Sequence, residues 1–161
     1  MSAETGSVNL KEQAVNFTTM RHIERVRNLL NKMVRHLLRR GELHDQSKLA
    51  PPESPLFAQY TDQLRLLTFG SQEYSDCKKK LGPALDHHYA RNPHHPEFHK
   101  NGVADMNLID LVEMICDWKA ASERHDNGNL NKSIEINGAR YGLPPMLVKI
   151  FENTVDILEG D

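Results

Sequence analysis

The stretch Val15–Arg40, VNFTTMRHIERVRNLLNKMVRHLLRR, decides the fold class. Its apolar residues Ile23, Val26, Leu29, Leu30, Met33, Val34, Leu37 and Leu38 recur at the spacing of one helix face. Arg21, Arg25, Arg27, Lys32, Arg35, Arg39 and Arg40 occupy the other face, which reads as a solvated basic surface. Gly41 is the expected stop. No alternating apolar and polar run of comparable strength occurs elsewhere, so the long helix sets the pattern for the whole chain.

Outward from that stretch the chain reads as further helices joined by polar punctuation. Downstream, Gly41 to Glu53 is a short connection containing His44, Asp45 and Pro51-Pro52. Ser54 is expected as an N-cap with Pro55 at the first helical position, opening a helix that runs to Phe69 and stops at Gly70. Ser71 caps the next, which should reach Asn92 with a bend at Gly82-Pro83, because Pro93 pushes the residue before it out of the helical region. An irregular loop rich in His and Pro follows. Asn107 then caps an apolar helix, Leu108 to Arg124, before a turn at Asp126-Asn127-Gly128. Two last helices are expected over Leu130–Ala139 and Pro144–Leu158. Upstream, residues 1–13 read as a flexible polar tail without the apolar core of a signal peptide. The expectation is therefore an all-α fold, a compact helical bundle, with a single metal-binding domain over residues 14–161.

The chain has 161 residues and a net charge of -2 with both signs mixed along it, which argues against a dedicated nucleic-acid binder; no stable nucleic-acid partner is expected. No apolar run approaches the roughly eighteen residues of a membrane span, so no membrane partner is expected and the expected location is the cytoplasm. The two cysteines, Cys77 and Cys116, lie far apart and read as free thiols of a reducing compartment. Self-association is left open.

The unusual residue is histidine: of nine, His87, His88, His94, His95 and His99 fall in one short stretch. Imidazoles that converge in space make a metal site. Alone, a His44-Asp45 pair is more often a cap or surface dipeptide. The Asn92-Pro93 turn, however, can fold His94-His95 back toward His87-His88. Asp117 lies on a helix that is apolar around much of its circumference, where an unpaired carboxylate is costly and needs a cation or donors. The set contains imidazole and carboxylate but no thiolate, which suits one or two divalent ions (manganese, iron, cobalt, nickel or zinc) in an open site. Two such ions against Asp45 and Asp117 would leave the site positive and attract a small anion, a nucleotide being the first candidate. They would also acidify a bound water, supplying hydroxide for attack on a phosphate ester.

These residues resemble the HD superfamily of metal-dependent phosphohydrolases, named for an adjacent His-Asp pair. A closer resemblance is to a group of small phage and bacterial proteins related to that superfamily. Its pattern of His-Asp-x-Ser-Lys, Glu, double His, Asn, double His and Glu-Met-x-x-Asp-Trp reads here as His44-Asp45-Gln46-Ser47-Lys48, Glu53, His87-His88, Asn92, His94-His95 and Glu113-Met114-Ile115-Cys116-Asp117-Trp118. The match covers roughly residues 21–122. It implies an HD-like bundle in a bacterial or phage-infected cell, with His44, Asp45, Asp117 and histidines among His87, His88, His94 and His95 as metal ligands. His22 stands where an early ligand is expected. Lys48 would be a phosphate contact or general acid, and Glu53 or Glu97 an acid helping the leaving group.

His22 raises a question of reach. An unbroken helix from His22 to Arg40 would put its ends about 27 Å apart, which three connecting residues could hardly recover. Either the helix breaks near Asn31 or the early ligand is not His22, with His36 as the fallback. The same ligand set would serve a di-iron oxygenase of the HD fold, and a non-catalytic phage protein that binds a nucleotide is a third reading. An HNH-type nuclease would need a β-hairpin that the sequence does not show.

Overall fold

The computed structural model describes residues 10–67, 71–124 and 128–160. It is all-α: seven α-helices and three short 3-10 turns are seen, with no strand among the described residues. The chain divides into two units, Met1–Arg39 and Arg40–Asp161. The expected stop at Gly70 and the turn at Asp126-Asn127 lie outside the described residues, as does the tail up to residue 9.

The first helix, α1 (Leu10–Leu43), is unbroken. It takes in the last residues of the expected tail and passes through Asn31 and Gly41. Gly41 ends nothing, because the left-handed residue that terminates the segment comes later, at Asp45 (φ 54°). No residue of α1 is buried.

In the second unit, the 3-10 turn Gln46–Leu49 leads to α2 (Glu53–Leu66), which starts one residue before the expected Ser54 cap. The predicted bent helix over 71–92 is two helices, α3 (Gln72–Lys80) and α4 (Gly82–Tyr89), with Pro83 early in α4, where a missing N–H costs nothing. Helix α4 ends ahead of Asn92, and the loop to α5 holds 3-10 turns at Pro96–Phe98 and Gly102–Asp105. Helix α5 (Leu108–Ser122) opens on the expected cap: Asn107 Oδ1 accepts from the amides of Ile109 and Asp110, and Asp110 returns a bond to the Asn107 amide. Helices α6 (Leu130–Tyr141) and α7 (Pro145–Glu159) complete the unit, with Gly142 at φ 62° closing α6.

The apolar core joins α5, α6 and α7 through Met114, Ile115, Trp118, Leu130, Ile134, Leu143, Phe151 and Val155. Trp118 stacks parallel to Tyr141 and meets Phe151 edge-on with centroids 5.7 Å apart. This packing fixes the rotation of α5. The face of α5 away from it carries the acidic residues Asp110, Glu113 and Asp117, three and then four positions apart, so they share one stripe. Cys77 is buried, Cys116 exposed, and both are free.

Candidate metal centre

Four backbone segments deliver the polar cluster. The left-handed turn at Asp45 ends α1 and presents His44 and Asp45 together, the tight turn an adjacent pair needs to face one point. Helix α4 supplies His88, and the Pro93 turn supplies His94 and His95. Helix α5 supplies Glu113 and Asp117.

Three overlapping sets each offer ligand atoms within 4.8 Å of one another: Asp45, His88, His94 and His95; His44, His94 and Glu113; and His44, Asp45 and Asp117. Asp45 links two of them. Its Oδ1 lies 3.3 Å from His88 Nε2 and 3.6 Å from His94 Nε2, and its Oδ2 lies 3.6 Å from His44 Nε2. His44 Nε2 is also 3.7 Å from Asp117 Oδ1. The rings of His94 and His95 are 4.2 Å apart, and His88 and His95 bring their Nε2 atoms to 2.9 Å, a spacing that a shared proton or a shared cation relieves.

Two carboxylates stand behind these imidazoles. Glu53, wholly buried, takes His88 Nδ1 at 2.9 Å and His87 Nδ1 at 2.6 Å, one on each oxygen. Glu113 takes His44 Nδ1 at 2.8 Å, faces His94 Nδ1 at 3.1 Å, and meets Arg40 with its other oxygen at 2.5 Å. A carboxylate at Nδ1 anchors that end of the ring and turns Nε2 toward the cluster. Asn92 adds to the frame by donating to Ser47 Oγ and to the His88 carbonyl. Arg40 also pairs with Asp110 at 2.7 Å.

The electrostatics follow from this packing. Hydrogen bonds to Asp117 and Glu113 raise His44 to about 10 against the opposing effect of burial. Burial pushes His95 down to about 3, helped by the neighbouring His94 and His88. Burial also lowers His88, with Lys48 adding to it. For Glu113 burial works upward, but His44, His94 and Arg40 outweigh it and hold the carboxyl at about 2. Burial likewise opposes the ionisation of Asp45 and Asp117, yet Lys48 on the first and His44 on the second keep both below the usual carboxylate range.

The residues fit a divalent cation. Asp45 Oδ1 and His94 Nε2 are buried with no hydrogen-bond partner, and His94 is only 1% exposed. Buried polar atoms are normally satisfied, so such orphans point to a missing partner. The donors are imidazole nitrogen and carboxylate oxygen, with neither cysteine in any set, a donor mix that suits a first-row divalent ion.

Of the residues singled out from sequence, His44, Asp45, His88, His94, His95 and Asp117 come together. His87 is drawn off by Glu53 and joins none of the three sets. His22 and His36 are exposed on α1, which does not break near Asn31, and they belong to none of the sets either. Lys48 Nζ binds Asp45 Oδ2 at 2.5 Å, at the edge of the cluster. Glu97 is turned to Arg140 and the Tyr141 hydroxyl, at 3.0 and 3.3 Å. Glu53 acts on the two imidazoles beside it. Sequence reasoning gave no site role to Glu113, Arg40 or Asp110. The spacing of Asp110, Glu113 and Asp117 along an otherwise apolar helix was the available signal.

Fold and cluster together define an all-α protein whose second unit gathers histidines and acidic residues in groups able to hold a metal ion. The chain belongs to a family of unknown function, DUF5662, whose model matches residues 11–157. Neither the curated proteins nor the solved structures compared with the chain gave a match. No helix among the described residues is long and apolar enough to cross a membrane.

Proposed function

We propose that this chain is a metal-dependent phosphohydrolase of the HD type, acting on a small phosphate ester, with a nucleotide as the first candidate substrate. The observation that carries the reading is the convergence of His44, Asp45, His88, His94, His95 and Asp117, with orphaned buried atoms on Asp45 and His94. When bound, one or two divalent ions would polarise a phosphoryl group and acidify a water.

The chain's own residues supply the rest. Glu53 and Glu113 anchor imidazole Nδ1 atoms and so turn Nε2 toward the cluster. Four carboxylates (Asp45, Glu53, Glu113 and Asp117) face two basic side chains (Lys48 and Arg40), so two divalent ions would tip the site positive and favour an anion. Lys48 is the cation best placed to meet a phosphate oxygen, since it is partly exposed and sits beside Asp45. Glu97 has no part in this scheme.

The test is metal analysis of the purified protein, then a phosphate-release screen over nucleotides with manganese, iron, cobalt, nickel and zinc in turn. Turnover that disappears with chelator and with Asp45→Asn is expected. A filled site that releases phosphate from no ester, and consumes oxygen when a substrate is added to the iron form, would replace hydrolysis with oxygenase chemistry.

A further inference from the structure

His99 is one of the clustered histidines and belongs to none of the three ligand sets, yet it is tied to the turn that feeds them. The turn from Asn92 to His99 contains Pro93 and Pro96, which have no N–H, so it can make fewer backbone bonds than an ordinary loop. The amides of His95, Phe98 and His99 donate to the carbonyls of Asn92, His95 and Pro96. The Pro93 carbonyl takes a side chain instead, with His99 Nε2 at 2.8 Å. A carbonyl can only accept, so His99 Nε2 is the donor and carries a hydrogen. The ring that donates is itself held. Its side chain is 11% exposed, it meets Phe98 with centroids 5.0 Å apart, and its Nε2 lies 3.9 Å from Oδ2 of the buried Asp110.

We propose that His99 is a positioning residue for the metal centre, fixing the peptide from which His94 enters the cluster. The Pro93 carbonyl and the His94 amide belong to one planar peptide unit, so holding the oxygen sets that plane and with it the His94 Cα. His94 is 1% exposed and takes part in two of the three ligand sets, and His95 follows it in the chain. Asn92 secures the other end of the same turn by donating to Ser47 Oγ and to the His88 carbonyl. With that end alone held, the Pro93–His94 peptide is free to tip and carries both imidazoles with it. Asp110 fixes the far side of the clamp. Its Oδ2 accepts from the Asn107 amide at the start of α5 and faces the hydrogen on His99 Nε2. The inference rests on the proposed metal centre and is independent of the reaction assigned to it.

The experiment is calorimetric titration of the purified full chain with zinc and with manganese, for wild type, His99→Leu and His99→Gln. Leucine keeps much of the volume and has no donor, whereas the glutamine amide can place an N–H near the position of Nε2. His99→Leu should weaken both ions about 10–100-fold, the loss typical when a group that orients a ligand is removed, and His99→Gln should restore most of it. A His99→Leu protein that is less stable in urea but binds both ions like wild type overturns the role of His99 and leaves the metal centre standing. A glutamine variant as weak as the leucine variant also overturns it, since the donated hydrogen is then not what matters. A wild type that binds neither ion overturns the metal centre, and this inference with it. If His99→Leu fails to fold by circular dichroism, nitrogen-15 NMR of the wild type decides. A hydrogen on His99 Nε2 whose exchange with water slows when zinc is added supports the proposal. A hydrogen on Nδ1 alone, or an exchange rate that zinc leaves unchanged, overturns it.

Discussion

Changing Glu113 to glutamine keeps the shape of the side chain and removes the charge on which three partners converge. One carboxylate oxygen serves His44 Nδ1 at 2.8 Å and faces His94 Nδ1 at 3.1 Å; the other meets Arg40 at 2.5 Å. A glutamine amide has one acceptor and one donor end, so either the imidazole N–H groups or the guanidinium must face an N–H. Breaking a buried charge pair costs about 3–5 kcal/mol when the orphaned partner has no alternative. Arg40 is 22% exposed and keeps Asp110 at 2.7 Å, which places the expected loss lower, at about 2–3 kcal/mol. The same change frees the Nδ1 ends of His44 and His94, and loss of such a support typically weakens metal binding about 10–100-fold. Urea unfolding of the metal-free protein measures the first effect, and competition titration with zinc or manganese the second. A stability loss under about 1 kcal/mol together with an affinity within about threefold of wild type would refute the account of Glu113 as the residue that organises both imidazoles.

Asp45→Asn should lower metal affinity more than any single histidine change, because Asp45 approaches His44, His88 and His94 at once; calorimetric titration of the variant series gives the order. The metal-free protein should be most stable near pH 6.5. His44 is raised to about 10, so its contribution is full below its ordinary 6.5 and drains away as pH climbs through 10. His95 is lowered to about 3, so its neutral form favours the fold above 6.5, and stability falls as pH drops toward 3. A urea midpoint that rises steadily from pH 6.5 to 9 would contradict this. Ile134→Ala empties a fully packed position between α6 and the core and should cost about 2–4 kcal/mol in urea unfolding while leaving metal stoichiometry unchanged.

The helical class was legible in Val15–Arg40 because 3.6-residue periodicity is a local property, and so was the Asn107 cap, whose partners lie two and three positions away. Helix ends were read less well. Gly41 signalled a stop by composition, but a glycine ends a helix only where the backbone adopts a left-handed turn, and here Asp45 does so. Most of the metal-capable residues were legible for a different reason: adjacent histidines and a carboxylate on an apolar helix are unusual enough to stand out unfolded. Which residues converge was not. His87 and His88 are neighbours in sequence, yet helical rotation gives both Nδ1 atoms to Glu53 and only His88 to the cluster. Glu113 and Arg40 lie seventy-three positions apart, and only the packing of Trp118, Ile115 and Met114 into the core turns Glu113 toward Arg40 and the histidines. The sequence by itself determined that the chain is helical and marked most of the residues that could hold a metal, since both follow from local spacing and side-chain chemistry. The tertiary structure decided which of them meet and which carboxylates hold them, since that depends on the rotation each helix takes to bury its apolar face.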